Sequence, residues 1–127
     1  MCATTARAVC ELPVDRSSPA VARQFLQRAT CTEHAGHVVD DAVLLVSELV
    51  TNSVVHGGPP IVVAVDCDGT SGLQVRVRDG SRALPSPRKA EPLSESGRGL
   101  TLLEMLSADW GVEAEPDDGK QVWFVLR

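Results

Sequence analysis

The chain has 127 residues, a length that fits one compact domain. Hydrophobic residues make up 43% and charged residues 23%, enough apolar material for a core, so a wholly disordered chain is excluded. A net charge of −5 and only 3% aromatics argue against nucleic acid as the main partner, because phosphate binding needs a basic surface and single strands need a stacking platform.

In chain order, Val9–Pro13 reads as a short strand. Ser18-Pro19 predicts a helix start, with Ser18 as N-cap and Pro at the first helical position. Val21, Ala22, Phe25, Leu26 and Ala29 then form an apolar stripe through Thr30, with Arg23, Gln27 and Arg28 facing outward. A longer helix is expected from His37 to His56, on Val38, Ala42, Leu45, Val46, Leu49 and Val50, with Asp40 and Asp41 near its positive end. Gly57-Gly58 ends it as a C-terminal cap, and Pro59-Pro60 prevents resumption.

Ile61–Cys67 is a β-branched run, and Leu73–Val77 alternates apolar and polar residues, so the two form a hairpin about the turn at Asp68–Gly72. Arg82–Ser96 has no periodicity and three prolines, which suits a lid or binding loop. Gly97-Arg98-Gly99 opens a helix through Ser107. Trp110–Ala114 and Gln121–Leu126 are strands around the turn Pro116-Asp117-Asp118-Gly119. Hairpins and grouped helices imply an α+β sandwich: a mixed, largely antiparallel sheet with helices on one face.

No apolar stretch approaches the roughly 20 residues that span a bilayer, and the N-terminus lacks a basic segment followed by an apolar core. A cytoplasmic protein with no membrane partner is therefore expected. Cys2, Cys10, Cys31 and Cys67 are scattered without a Cys-x-x-Cys pair, so they read as reduced thiols, Cys10 and Cys67 as small core residues.

Three segments carry chemistry. In Ser47–Gly57, Glu48 and Asn52 are four apart and project from one helix face, beside Thr51 and His56. An amide oxygen suits Mg²⁺, and a carboxylate can accept or orient a proton. On spacing alone the pair also reads as a solvated face. Asp79-Gly80 ends a strand; an ionised Asp is acceptor-only and can take the exocyclic amine of adenine, though Asp-Gly is equally a plain turn. In Ser96–Leu100, Gly97 and Gly99 let backbone approach an anion at a helix start, and Arg98 adds a charge-assisted donor; a flexible helix entry is the plainer reading.

The order of these segments, with the helix sequence SELVTNSVVHG, the later WGV and the terminal GKQVWFVL, resembles the Bergerat-fold (GHKL) ATP-binding superfamily. Within it the chain is similar to the small stand-alone anti-sigma-factor serine kinases, and to the short ATP-binding regulators abundant in actinobacteria. The resemblance spans Val9 to Arg127 and implies that residues 1–127 are one ATP-binding, kinase-like domain. By position it implies Asn52 as the Mg²⁺ ligand, Glu48 as the catalytic base and Asp79 as the adenine-reading aspartate, followed by Gly80. It makes Gly97, Arg98, Gly99 and Leu100 the second glycine box at the triphosphate, and Arg82–Ser96 the ATP lid.

Such proteins bind a sigma factor and phosphorylate a serine on an anti-anti-sigma partner of the STAS fold; kinases of this type are often homodimers. The implied function is a Mg²⁺-ATP-dependent partner-switching kinase. The alternative is a catalytically silent, nucleotide-gated binding module. Two departures bear on nucleotide affinity. The first glycine box commonly reads Asp-x-Gly, and here it is Asp79-Gly80-Ser81. A Gly-Thr or Gly-Lys-Thr near the C-terminus commonly supplies a threonine at the base pocket, and here it is Gly119-Lys120-Gln121.

Overall fold

The computed structural model describes residues 6–30, 35–67, 72–80, 95–114 and 119–127. Chain order is β1 (Ala6–Leu12), α1 (Ser18–Ala29), a short 3-10 turn (Gly36–Val38) running into α2 (Val39–His56), β2 (Ile61–Cys67), β3 (Leu73–Asp79), α3 (Glu95–Leu106), β4 (Asp109–Ala114) and β5 (Lys120–Leu126). The strands form one sheet in the order β1-β2-β3-β5-β4. The α+β sandwich with a largely antiparallel sheet is what the structure has: each pairing among the described strands is antiparallel, from Leu12 opposite Ile61 to Trp110 opposite Phe124. Each of these strands meets its neighbour through a ladder that hairpins or helical excursions on one side can close, so no parallel crossover arises.

Strand alternation decides which face is covered. In β2, β3 and β5 every second residue is buried, starting from Ile61, Leu73 and Lys120. These inward residues share one core with Ala22 and Leu26 of α1, Ala42, Leu45, Val46, Leu49 and Val50 of α2, and Leu103 of α3. All three helices therefore lie on the same face, as the α+β reading expects. The opposite face stays half-open and mixes charged with apolar side chains. There Asp66 accepts from Arg7 Nε at 2.7 Å and pairs with Arg76 at 3.3 Å. Cys67 packs in the core and Cys10 against its margin. Trp110 also packs against the core, whereas Trp123 belongs to the outer face, opposite Gly111.

Local details differ from the sequence expectations. The N-cap of α1 is Ser17, not Ser18, and its hydroxyl makes no cap bond because it donates back to the Asp15 carboxylate. Ser18, buried, donates instead to the Pro13 carbonyl at 2.6 Å, tying the helix start to the end of β1. Arg23 is not simply outward: its guanidinium donates to Ser47 Oγ at 2.9 Å and joins α1 to α2. The expected turn at 68–71, the segment 115–118, Ser81, residues 82–94 of the expected lid, His34, Cys2 and Cys31 lie outside the described residues. Glu95 and Ser96, also expected in the lid, begin α3. No helix among the described residues is long and apolar enough to cross a membrane.

Phe124 is the bulkiest fully buried side chain, at 0% exposure, whereas Val9 is 59% exposed. Phe124→Ala should lower stability by about 3–5 kcal/mol. Val9→Ala should stay within about 0.5 kcal/mol. Urea unfolding of both variants checks the assignment; comparable losses at the two positions would contradict it.

Candidate functional site

Polar side chains collect where α2 ends over the carboxyl end of β3. An 18-residue helix normally presents polar residues to water, yet Asn52 and Ser53 of α2 are buried, at 9% and 3% exposure. Asp79, the last residue of β3, is 2% exposed, and Lys120, the first of β5, is 8% exposed. Burying a carboxylate is costly unless donors meet it. Ser53 Oγ donates to Asp79 Oδ2 at 2.6 Å, and Lys120 Nζ lies 3.6 Å from the same oxygen. Asp79 and Lys120 are direct cross-strand partners in the β3–β5 ladder, so strand register holds the two charges together.

The chain leaving α2 is shaped around this carboxylate. Gly57 caps the C-terminus of α2, as the sequence predicts, but not in the left-handed conformation that such glycines often take. Its backbone is instead extended, with φ −95° and ψ −157°, so positive φ is not why glycine stands here. The reason is space: a Cβ on Gly57 would meet Asp79 Oδ2 at 2.5 Å and the Ser53 carbonyl oxygen at 2.8 Å. On the other side, Gly80 N–H donates to the Gly58 carbonyl at 2.8 Å, and a Cβ on Gly80 would run into the Pro59 carbonyl oxygen. The linker after α2 is thus held against the end of β3 from both flanks, and Asp79 is fixed between them.

Asn52 stands one residue before Ser53. Its Oδ1 is buried and accepts no hydrogen bond among the described residues. An orphaned buried acceptor costs about 1–3 kcal/mol. It is the kind of oxygen that a hard divalent cation or its water shell takes up. No cluster of three or more His, Cys, Asp or Glu could hold a metal among the described residues. Glu48 sits one turn earlier on α2 and is half-buried. Thr51 turns its hydroxyl back to the Ser47 carbonyl at 2.7 Å, and His56 is exposed at the helix end, so neither joins the buried cluster.

Gly97, Arg98, Gly99 and Leu100 lie within α3, which begins two residues earlier, at Glu95, than expected. Gly97 and Arg98 therefore belong to the first turn, where backbone N–H groups lack intrahelical partners. The structure brings Asn52, Asp79 and Gly80 to one end of the sheet. The first turn of α3 is placed by its backbone alone.

Sequence reasoning missed Ser53, Gly57 as a spacer for Asp79, and Lys120. Within Gly119-Lys120-Gln121, strand parity makes Lys120 the inward residue beside Asp79, and Gln121 points to the other face. Period-two alternation counted back from buried Phe124 and Val122 was the signal that could have found it.

The sequence model for the histidine kinase-like ATPase domain matches residues 12–126. Among solved structures, the RsbU and RsbW domains of Rv1364c from Mycobacterium tuberculosis are similar, with a TM-score of 0.69 at 19% identity. The match covers 96% of this chain and 32% of that one, so this chain spans about a third of its length, and at that identity the likeness is one of fold. No curated protein matches the sequence.

Gly57→Ala should cost about 1–3 kcal/mol, because the new methyl overlaps the Asp79 carboxylate and something must shift. Gly58→Ala meets nothing within 4 Å and should be neutral or slightly stabilising. Denaturant unfolding of the pair checks the crowding at Asp79; equal behaviour of the two variants would contradict it.

Proposed function

Because the chain belongs to the histidine kinase-like ATPase family, which implies ATP binding, we propose that it is a Mg²⁺-ATP-dependent serine/threonine kinase of the anti-sigma type, acting in a partner switch. One observation carries this reading. Asn52 offers a buried amide oxygen with no partner among the described residues, on the helix that also packs over Asp79. In a purely structural helix face such an acceptor would be satisfied or exposed.

The roles follow from placement. Asp79 accepts the exocyclic amine of the base, with Ser53 and the closely packed Gly57 and Gly80 keeping its carboxylate in position. Asn52 holds Mg²⁺, which when bound offsets phosphate charge. Glu48, half-buried on the same helix, accepts or orients the proton of the partner's serine hydroxyl. The first turn of α3, with Gly97, Arg98, Gly99 and Leu100, directs backbone N–H groups toward the phosphates. Phosphoryl transfer rests on positioning and electrostatics and needs no covalent enzyme intermediate. The product serine gains about −1.5 to −2 charge, enough to break an interface by repulsion and desolvation. The unphosphorylated STAS partner sequesters the protein, and the phosphorylated partner releases it to bind a sigma factor. The fold likeness to a protein with an RsbW domain supports this scaffold for the role.

A second reading is a nucleotide-gated binding module without catalysis. It is favoured by Ser81 and Gln121, which stand where the resembling family carries a glycine and, in its Gly-Lys-Thr form, a threonine.

The test is incubation with γ-labelled ATP, Mg²⁺ and STAS-fold proteins from the source genome. The kinase reading predicts label on a partner serine, reduced by about 10²–10⁴-fold in Glu48→Gln. Full transfer by Glu48→Gln would remove Glu48 from its role. ATP binding without any transfer would select the silent module.

A further inference from the structure

Lys120 is only 8% exposed, and its ammonium faces the Asp79 carboxylate. At 3.6 Å from Asp79 Oδ2 it forms an ion pair but not a hydrogen bond. The same oxygen already accepts from Ser53 Oγ at 2.6 Å. A lysine carries three N–H donors, and a buried ammonium needs acceptors for them. Direct register across β3 and β5 holds the pair, and Gly57 packs so close that a Cβ there would meet Asp79 Oδ2 at 2.5 Å. This end of the sheet therefore presents an acceptor and a donor side by side, in an order that the fold fixes.

This inference rests on the proposed nucleotide pocket. We propose that Lys120 is a specificity-determining residue that donates a hydrogen bond to N1 of the adenine whose 6-amino group Asp79 accepts. The Watson–Crick edge of adenine carries a donor, the 6-amino group, next to an acceptor, N1. Carboxylate and ammonium match that edge group for group. A 6-oxopurine carries the opposite order, so its O6 meets the carboxylate and its N1–H meets the ammonium. Both charges of the site then stay unpaired, the circumstance in which an analogue is rejected most strongly. A lysine serving only as the counterion of Asp79 would place no donor at N1, and that difference is measurable.

Inosine triphosphate would be refused by Asp79 alone, so the deciding probe is 1-deaza-ATP, which keeps the 6-amino group and replaces N1 by C–H. Calorimetric titrations in Mg²⁺ compare ATP with 1-deaza-ATP on the wild type, Lys120→Met and Lys120→Gln, with folding checked by circular dichroism. Loss of a charge-assisted hydrogen bond is worth roughly 10–100-fold in affinity. The wild type should therefore bind 1-deaza-ATP at least about tenfold more weakly than ATP. Lys120→Met should bind ATP more weakly than the wild type does and bring the two nucleotides within about threefold of each other. If Lys120→Met does not fold, Lys120→Gln decides: its neutral amide makes a weaker hydrogen bond and should narrow the ratio. A counterion role alone would weaken both nucleotides alike and leave the ratio where the wild type has it. Equal binding of the two nucleotides by the wild type, or a ratio unchanged in the folded variant, overturns the reading of N1 by Lys120 and leaves the pocket intact. Absence of ATP binding by the wild type overturns the pocket itself, and this proposal with it.

Discussion

A carboxylate at 2% exposure has to be met by donors and enclosed without clashes, and the demands of Asp79 organise one end of this molecule. Ser53 from α2 and Lys120 from β5 supply the polar contacts. Gly57 and Gly80 supply the room, since a side chain at either would collide with the carboxylate or with the Pro59 backbone. The end of α2 with its linker and the start of β5 thus converge on the end of β3. Without Asp79 the burial of Ser53 and Lys120 would have no physical reason, and the helix end would have no fixed approach to the strand end.

The same convergence connects packing to function. The apolar stripe of α2 is already sufficient to bury it, through Leu45, Val46, Leu49 and Val50. Asn52 and Ser53 are therefore surplus to folding and are held at the margin of the core by the residues around them. Ser53 is satisfied by Asp79, but Asn52 Oδ1 is not satisfied among the described residues. The fold carries the cost of that oxygen, and this is the observation from which a ligand at Asn52 is proposed. Strand register plays the matching part for Lys120: a shift of one residue in β5 would place Gln121 beside Asp79 and turn the ammonium to the open face.

Much of the fold was legible because its elements are periodic. The β-branched run at Ile61–Cys67 and the alternation after Leu73 specify β2 and β3, and the spacing from Ala42 to Val50 specifies α2. Asp79 and Asn52 stood out as residues that those periods did not need. What stayed hidden depends on tertiary contact. Helix capping rules account for a glycine after α2, but only the approach of Asp79 explains an extended Gly57. Periodicity cannot report that Arg23 finds Ser47 across two helices, or that Ser17 turns its hydroxyl to Asp15. Nor does anything local in β3 or β5 state that the two are neighbours, since their pairing joins segments far apart in the chain.

The central claim is that Asn52 and Asp79 belong to one Mg²⁺-nucleotide pocket, and calorimetric titration with ATP tests it most directly. The account predicts binding by the wild type that requires Mg²⁺, is abolished by a chelator and is largely lost in Asn52→Ala, with the variant's thermal unfolding otherwise preserved. ATP binding that is indifferent both to Mg²⁺ and to Asn52→Ala would contradict it, as would no binding at millimolar nucleotide.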